Sequence, residues 1–192
     1  MKKRGRPKGK ALLTTEDICT AALQLLDESG SKGLSMRALA DTLSVTPMAL
    51  YNHFEDRVSL LRAISDYVYR EVSQKFEQST GNPRKRTELL LVNYYEAVLK
   101  HPNLSLSIFE TPDAFSIEAA RITNYLEALL KDAGFSFAKR KLWLEILVDF
   151  THGSSIATAA HQVKKKADRA YIQSQSQKYE RALIELLNFV FR

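Results

Sequence analysis

Between residues 36 and 43 the apolar positions fall at Met36, Leu39, Ala40 and Leu43, the spacing that turns one helix face inward. Ser44 and Val45 form a short connection. Thr46 then reads as an N-cap whose hydroxyl accepts from the backbone N–H groups two or three residues on. Pro47 suits the first helical position, where a missing N–H costs nothing. This second helix, over about 47–53, has only Leu50 and Phe54 as a buried edge, while Met48, Ala49, Tyr51, Asn52 and His53 project elsewhere. Upstream, Ile18, Ala21, Ala22, Leu25 and Leu26 form the apolar stripe of a helix over about 15–29. Thr14 and Asp17 make a capping pair for it, and Gly30 and Gly33 end it.

Downstream, Asp56 is the N-cap of a long helix reaching about residue 78, and the stretch 79–83 breaks the chain. Asn82 and Pro83 open a helix to about residue 100, His101-Pro102 interrupts it, and a short helix runs to about residue 110 before Thr111-Pro112. Helices follow over 113–132, closed by Gly134, then over 136–166 and 168–192. No useful run has the period of a strand. The pattern predicts an all-α protein of about nine helices.

Charge changes the picture at one end. Residues 1–10 hold six basic side chains and no acid, which leaves 22 basic and 22 acidic groups in the other 182 residues. The body is formally neutral, and the net +6 sits in the arm. Within that arm Arg4-Gly5-Arg6-Pro7 is similar to the core of an AT-hook, in which Arg4 and Arg6 would enter a narrow minor groove. A basic tail touching phosphates without regard to sequence is the alternative, and both give DNA binding. No run approaches the ~18 apolar residues of a membrane span. The basic N-terminus has no apolar core of a signal peptide. Cys19, the sole cysteine, has no disulfide partner and no metal-ligand cluster around it. It reads as a helix packing residue, with redox sensing as the minor alternative. These features point to the cytoplasm and to no membrane partner. Neither a cofactor nor a metal is called for, since the chain has no Gly-rich phosphate loop, nucleophile elbow or metal constellation. An enzyme is therefore the remote reading.

The blocks TEDICTAALQLLDESG, GLSMRALADTLSV and PMALYNHFEDRVSLLRAI, from about residue 14 to residue 64, closely resemble the DNA-binding module of the TetR family of bacterial regulators. The family often has Gly at the turn where this chain has Ser44, a small cost if that backbone is left-handed. Residues 1–13 lack periodicity and read as a disordered basic arm. The resemblance implies a helix-turn-helix DNA-binding domain over 14–60 and a helical effector-binding and dimerisation domain over 61–192. It carries DNA contacts onto Thr46, Pro47, Met48, Ala49, Tyr51 and His53. Tyr51 and His53 look like the family's phosphate anchors, and each side chain has a donor for a phosphate oxygen. Arg37 and Arg57 would clamp the backbone on either side, and Asn52 would read a base or a phosphate.

In the C-terminal part the resemblance implies a small-molecule effector and a homodimer on a double-stranded DNA operator. Tyr67, Tyr94, Tyr95, Phe109, Phe115, Tyr125, Trp143 and Phe150 line a ligand cavity or pack as core. Asp149, Thr151, His152 and Ser155 are a polar cluster of that cavity or a solvated face. Tyr179, Leu183, Leu186, Leu187 and Val190 form a stripe on the last helix that buries against a partner's helices or against the chain's own core. The partner is favoured, because a regulator with one recognition helix per chain needs two to reach a specific site. The expected function is a ligand-released repressor. The alternative within the class is a regulator or activator controlled by a protein partner.

Overall fold

The computed structural model describes residues 13–165 and 169–192. The elements run α1 (Thr15–Gly33), α2 (Met36–Thr42), α3 (Pro47–Tyr51), α4 (Arg57–Glu77), α5 (Pro83–Lys100), α6 (Pro102–Glu110), a 3₁₀ turn (Pro112–Ala114), α7 (Ile117–Asp132), α8 (Phe137–Lys165) and α9 (Arg169–Val190). Among the described residues there is no strand, and no helix is long and apolar enough to cross a membrane. Arg4 and Arg6, and with them the minor-groove expectation, lie outside the described residues.

Local chemistry sets most boundaries. Thr14 and Asp17 form a reciprocal capping box at the start of α1, and Asp56 and Ser59 form another at the start of α4. Gly30 breaks α1 with φ of 67°, a left-handed conformation that glycine adopts without a Cβ clash. Ser44 takes the same region with φ of 53° and no such excuse, at a cost of about 1 kcal/mol. Two expectations are corrected. Thr46 stands at the N-cap position of α3, but its side chain makes no capping hydrogen bond, so Pro47 and the first backbone turn open that helix. The helix expected from residue 113 begins instead at Ile117, because Pro112 opens a 3₁₀ turn and Ser116 Oγ accepts from Ala119 N at 3.2 Å.

The N-terminal helices close on Ile18, Ala22 and Leu26 from α1, Leu39 and Ala40 from α2, Leu50 from α3 and Leu60, Leu61 and Ile64 from α4, each fully excluded from water. Cys19 belongs to this core. Burial pushes its thiol up to about 11, so packing, not thiolate chemistry, is what it contributes. Helix α4 continues out of the module and packs against α5 and α7, and α1 lies along α6. Helices α5, α7, α8 and α9 complete the larger body, where α8 packs on α5 and α7.

Candidate nucleic-acid interface and aromatic cavity

Helix α3 is held by one edge. Leu50 and Phe54 are buried, while Met48 is 69% exposed and Tyr51 is 48% exposed. Thr46, Pro47, Asn52 and His53 are exposed beside them, and Ala49 is half-buried. A five-residue helix with so small a buried edge offers its whole start and outer face to solvent. It presents hydroxyl, amide, imidazole and methyl groups but no formal charge, the donors, acceptors and apolar contacts that groove edges and phosphates recognise. Arg37, near the start of α2, is exposed on the same module.

Arg57 has different work from the phosphate clamp expected of it. Its Nε donates to Leu34 O at 3.0 Å, and its Nη2 donates to Ser31 O and Ser31 Oγ, each at 3.1 Å. The guanidinium thus pins the start of α4 onto the last turn of α1 and the connection to α2. Ser31 Oγ in turn donates to Glu110 Oε2 at the end of α6, at 2.7 Å. The start of α6 is tied to α1 as well. Asn103 Nδ2 donates to Leu26 O at 2.9 Å, and His101 Nδ1 lies 2.8 Å from Asp27 Oδ2. Both ends of α6 are therefore bonded to the helix that supports the DNA-facing module.

The other side of α6 faces a cavity of about 370 Å³. Tyr69 of α4, Tyr94 of α5, His152 of α8 and Ser105, Ile108 and Phe109 of α6 form most of its wall. Pro112, Phe115 and Ala119 complete it. Tyr94 OH lies 2.7 Å from His152 Nε2, and Tyr69 OH lies 3.1 Å from Ser105 Oγ. Burial lowers the His152 pKa and raises those of both tyrosines, so all three are neutral near pH 7. A larger groove of about 690 Å³ between α1, α4 and α5 is lined by Asp27, Glu28, Arg70, Glu71 and Lys100 and reads as a solvated seam.

The family model described as "Bacterial regulatory proteins, tetR family" matches residues 18–64. The tetracycline repressor protein class E of Escherichia coli is 27% identical over 157 residues, covering 78% of this chain and 71% of that protein. An HTH-type transcriptional regulator of Saccharopolyspora erythraea is 33% identical over 131 residues, covering 67% of this chain and 54% of that protein. The crystal structure of Mycobacterium smegmatis BioQ superposes with a TM-score of 0.69 at 25% identity, covering 91% of this chain and 98% of that one. BioQ with its natural double-stranded DNA operator superposes with a TM-score of 0.61 at 25% identity, covering 90% and 99%. The chain belongs to the tetR family. It is a transcriptional regulator with a DNA-binding domain, as its relatives are, and they are not enzymes.

In this TetR-family chain the residues named as effector contacts divide. Tyr94, Phe109, Phe115 and His152 share the cavity. Tyr67 faces the charged groove. Tyr125 donates to Glu77 Oε1 and lies 4.4 Å from the Phe76 ring, Trp143 sits 6.1 Å from Phe189, and Asp149 is exposed. The expected polar cluster splits too, because Thr151 and Ser155 are fully buried and Thr151 Oγ1 lies 2.9 Å from Tyr179 OH. Sequence reasoning missed Tyr69 and Ser105. The signal was there in Ser65 and Tyr69, polar residues four apart inside the apolar stripe of α4, where a buried hydroxyl needs a partner.

The stripe assigned to the dimer interface is corrected. Tyr179, Leu183, Leu187 and Val190 are buried within the chain's own core, and Leu186 is half-buried. Tyr95 stacks on Tyr179 at 4.0 Å, and Tyr179 OH also donates to Leu91 O at 3.2 Å. Two helices already available within one chain claimed the face that looked free on α9 alone.

Proposed function

We propose that this TetR-family regulator is a repressor that binds a pseudo-palindromic operator as a homodimer and leaves it when a small molecule fills the aromatic cavity. One observation carries the reading: α6 forms part of the cavity wall and is hydrogen-bonded at both ends to α1, which supports the DNA-facing module. A ligand that spreads the wall loads those bonds. Release follows if the ligand prefers the arrangement in which the module no longer fits its DNA, by as large a factor as the affinity falls. The division into a DNA-binding part over 14–60 and an effector and dimer part over 61–192 then cuts through α4, the helix shared by both.

On the DNA side, Thr46, Pro47, Met48, Ala49, Tyr51, Asn52 and His53 would meet the major groove, with Arg37 on the backbone and the basic arm, Arg4 and Arg6 included, adding long-range attraction. The exposure of α3 and the operator complex of the related BioQ support this. For the dimer, the outward faces of α8 and α9 replace the buried stripe. Leu142, Ile146, Gly153 and Ala160 recur at helical spacing on α8, all exposed, and Ala182, Glu185 and Phe189 do so on α9. Leu142 is 54% exposed and Phe189 63%, a patch that a second copy would cover.

Footprinting of the full chain on the DNA upstream of its own gene tests the proposal. Two protected half-sites separated by about one helical turn or a multiple of it are expected. Protection that never exceeds the nonspecific background would contradict it.

A further inference from the structure

We propose that the cavity takes an uncharged, largely aromatic molecule that donates a hydrogen bond from a hydroxyl or N–H group to the tyrosine oxygens of its wall, and that it rejects carboxylates and quaternary ammonium ions of the same shape. This rests on the reading of the cavity as the effector site and adds the chemistry of what fills it.

The wall's polar groups are three hydroxyls and one imidazole, bonded in pairs. Burial keeps His152 neutral, with one ring nitrogen a donor and the other an acceptor. One hydrogen bond, 2.7 Å long, joins its Nε2 to Tyr94 OH. Tyr69 and Ser105 share one hydrogen bond at 3.1 Å. One proton of each pair is thus spent within the protein, and the hydroxyl oxygens keep lone pairs for a ligand. A ligand hydroxyl or N–H group satisfies them.

Charge is excluded on both sides. Among the described residues no Lys or Arg lines the cavity. In the first turn of α7, which borders it through Ala119, two N–H groups are occupied: Asp66 Oδ1 accepts from Glu118 N at 2.8 Å and Ser116 Oγ from Ala119 N at 3.2 Å. For a cation the aromatic faces offer attraction, but among the described residues no carboxylate lines the cavity to pair with it. Glu118 pairs with Arg121 through Oε1 at 2.9 Å, and Asp149 is exposed. A carboxylate brought here loses its hydration without return, and a cation regains only what the ring faces supply. Phe109 and Phe115, each 54% exposed, stand at the mouth and supply rings to close over a flat apolar body.

Four probes of one shape decide the matter, titrated calorimetrically into the full chain: 2-naphthol, 2-methylnaphthalene, 2-naphthoate and trimethyl-2-naphthylammonium. The naphthol is expected to bind at least about ten-fold more tightly than either charged probe, and tighter than the methyl isostere. In Tyr94→Phe the advantage of naphthol over methylnaphthalene should shrink to within about three-fold while methylnaphthalene binding holds, with a thermal melt confirming the fold. Equal or tighter binding of the carboxylate or the ammonium, or no binding of any probe to the wild-type chain, would overturn the inference. The readout is heat and not DNA release. A chain that binds naphthol yet stays on its operator would contradict the ligand-released reading while the ligand class stands.

Discussion

Helices α3 and α9 each carry an apolar stripe, yet one leaves nearly all of itself to solvent and the other is consumed by its own chain. On α3 the stripe is Leu50 alone, with Phe54 just beyond its end; Ala49 is half-buried and the other residues are exposed. On α9 the stripe of Tyr179, Leu183, Leu187 and Val190 meets α5 and α8 inside the same chain. A stripe tells which face is buried. It does not tell what buries it. For a short helix the remainder is the informative surface, and for a long helix the surface available to a partner is found on the positions between the stripe.

Breaking the α9 stripe should have the largest effect. Leu183→Glu places a carboxylate at a fully buried position. It should cost at least the roughly 2–5 kcal/mol of a large-to-small core change, with the buried charge added. Thermal unfolding followed by circular dichroism should show a strongly lowered Tm or no cooperative transition. A well-folded monomer would instead mean that the stripe does face a partner. On the neighbouring face, Ile146→Glu with Phe189→Glu should leave the fold intact and raise the dimer dissociation constant by at least about a hundred-fold. Light scattering of the eluting species measures it, and an unchanged dimer places the interface elsewhere.

Two arginines sharpen the contrast within the DNA module itself. Arg57→Ala removes a guanidinium with three internal hydrogen bonds and should lower stability by about 1–3 kcal/mol in urea unfolding. Arg37→Ala, at an exposed position, should change stability by no more than about 0.5 kcal/mol. It should instead flatten the salt dependence of DNA binding by about one unit of slope. Interchanged phenotypes would reverse the two roles.

The helix-turn-helix was legible because its punctuation is local. Thr14 with Asp17, Asp56 with Ser59 and Pro47 each act within one turn, so neighbours in sequence carry the whole cause. The cavity was only half legible because its wall comes from five helices whose relative rotation no local pattern fixes. Tyr67 and Tyr69 look alike in the sequence, yet the two-residue step turns Tyr69 inward to Ser105 and Tyr67 toward the charged groove. Arg57 misled for a related reason. A cation beside a recognition helix suits a phosphate, but the carbonyls of Ser31 and Leu34, exposed by the break at Gly30, were nearer claimants. Ser31 and Glu110 are 79 residues apart, and their hydrogen bond follows from the packing of α1 on α6 alone.

If the exposed face of α3 holds the DNA, the affinity of two point variants must show it. Fluorescence anisotropy with the footprinted duplex, at one fixed salt concentration, compares the full chain with Tyr51→Phe and His53→Ala. Both side chains are exposed and both changes leave Leu50 and Phe54 in place, with only the His53 ring, 6.4 Å from that of Phe54, near the buried edge, so both variants should stay folded. Each removes a donor to a charged acceptor, worth about 1.5–3 kcal/mol, so each should bind roughly ten-fold or more weakly. Wild-type affinity in both variants would contradict the account, because the face it assigns to DNA would then be touching none.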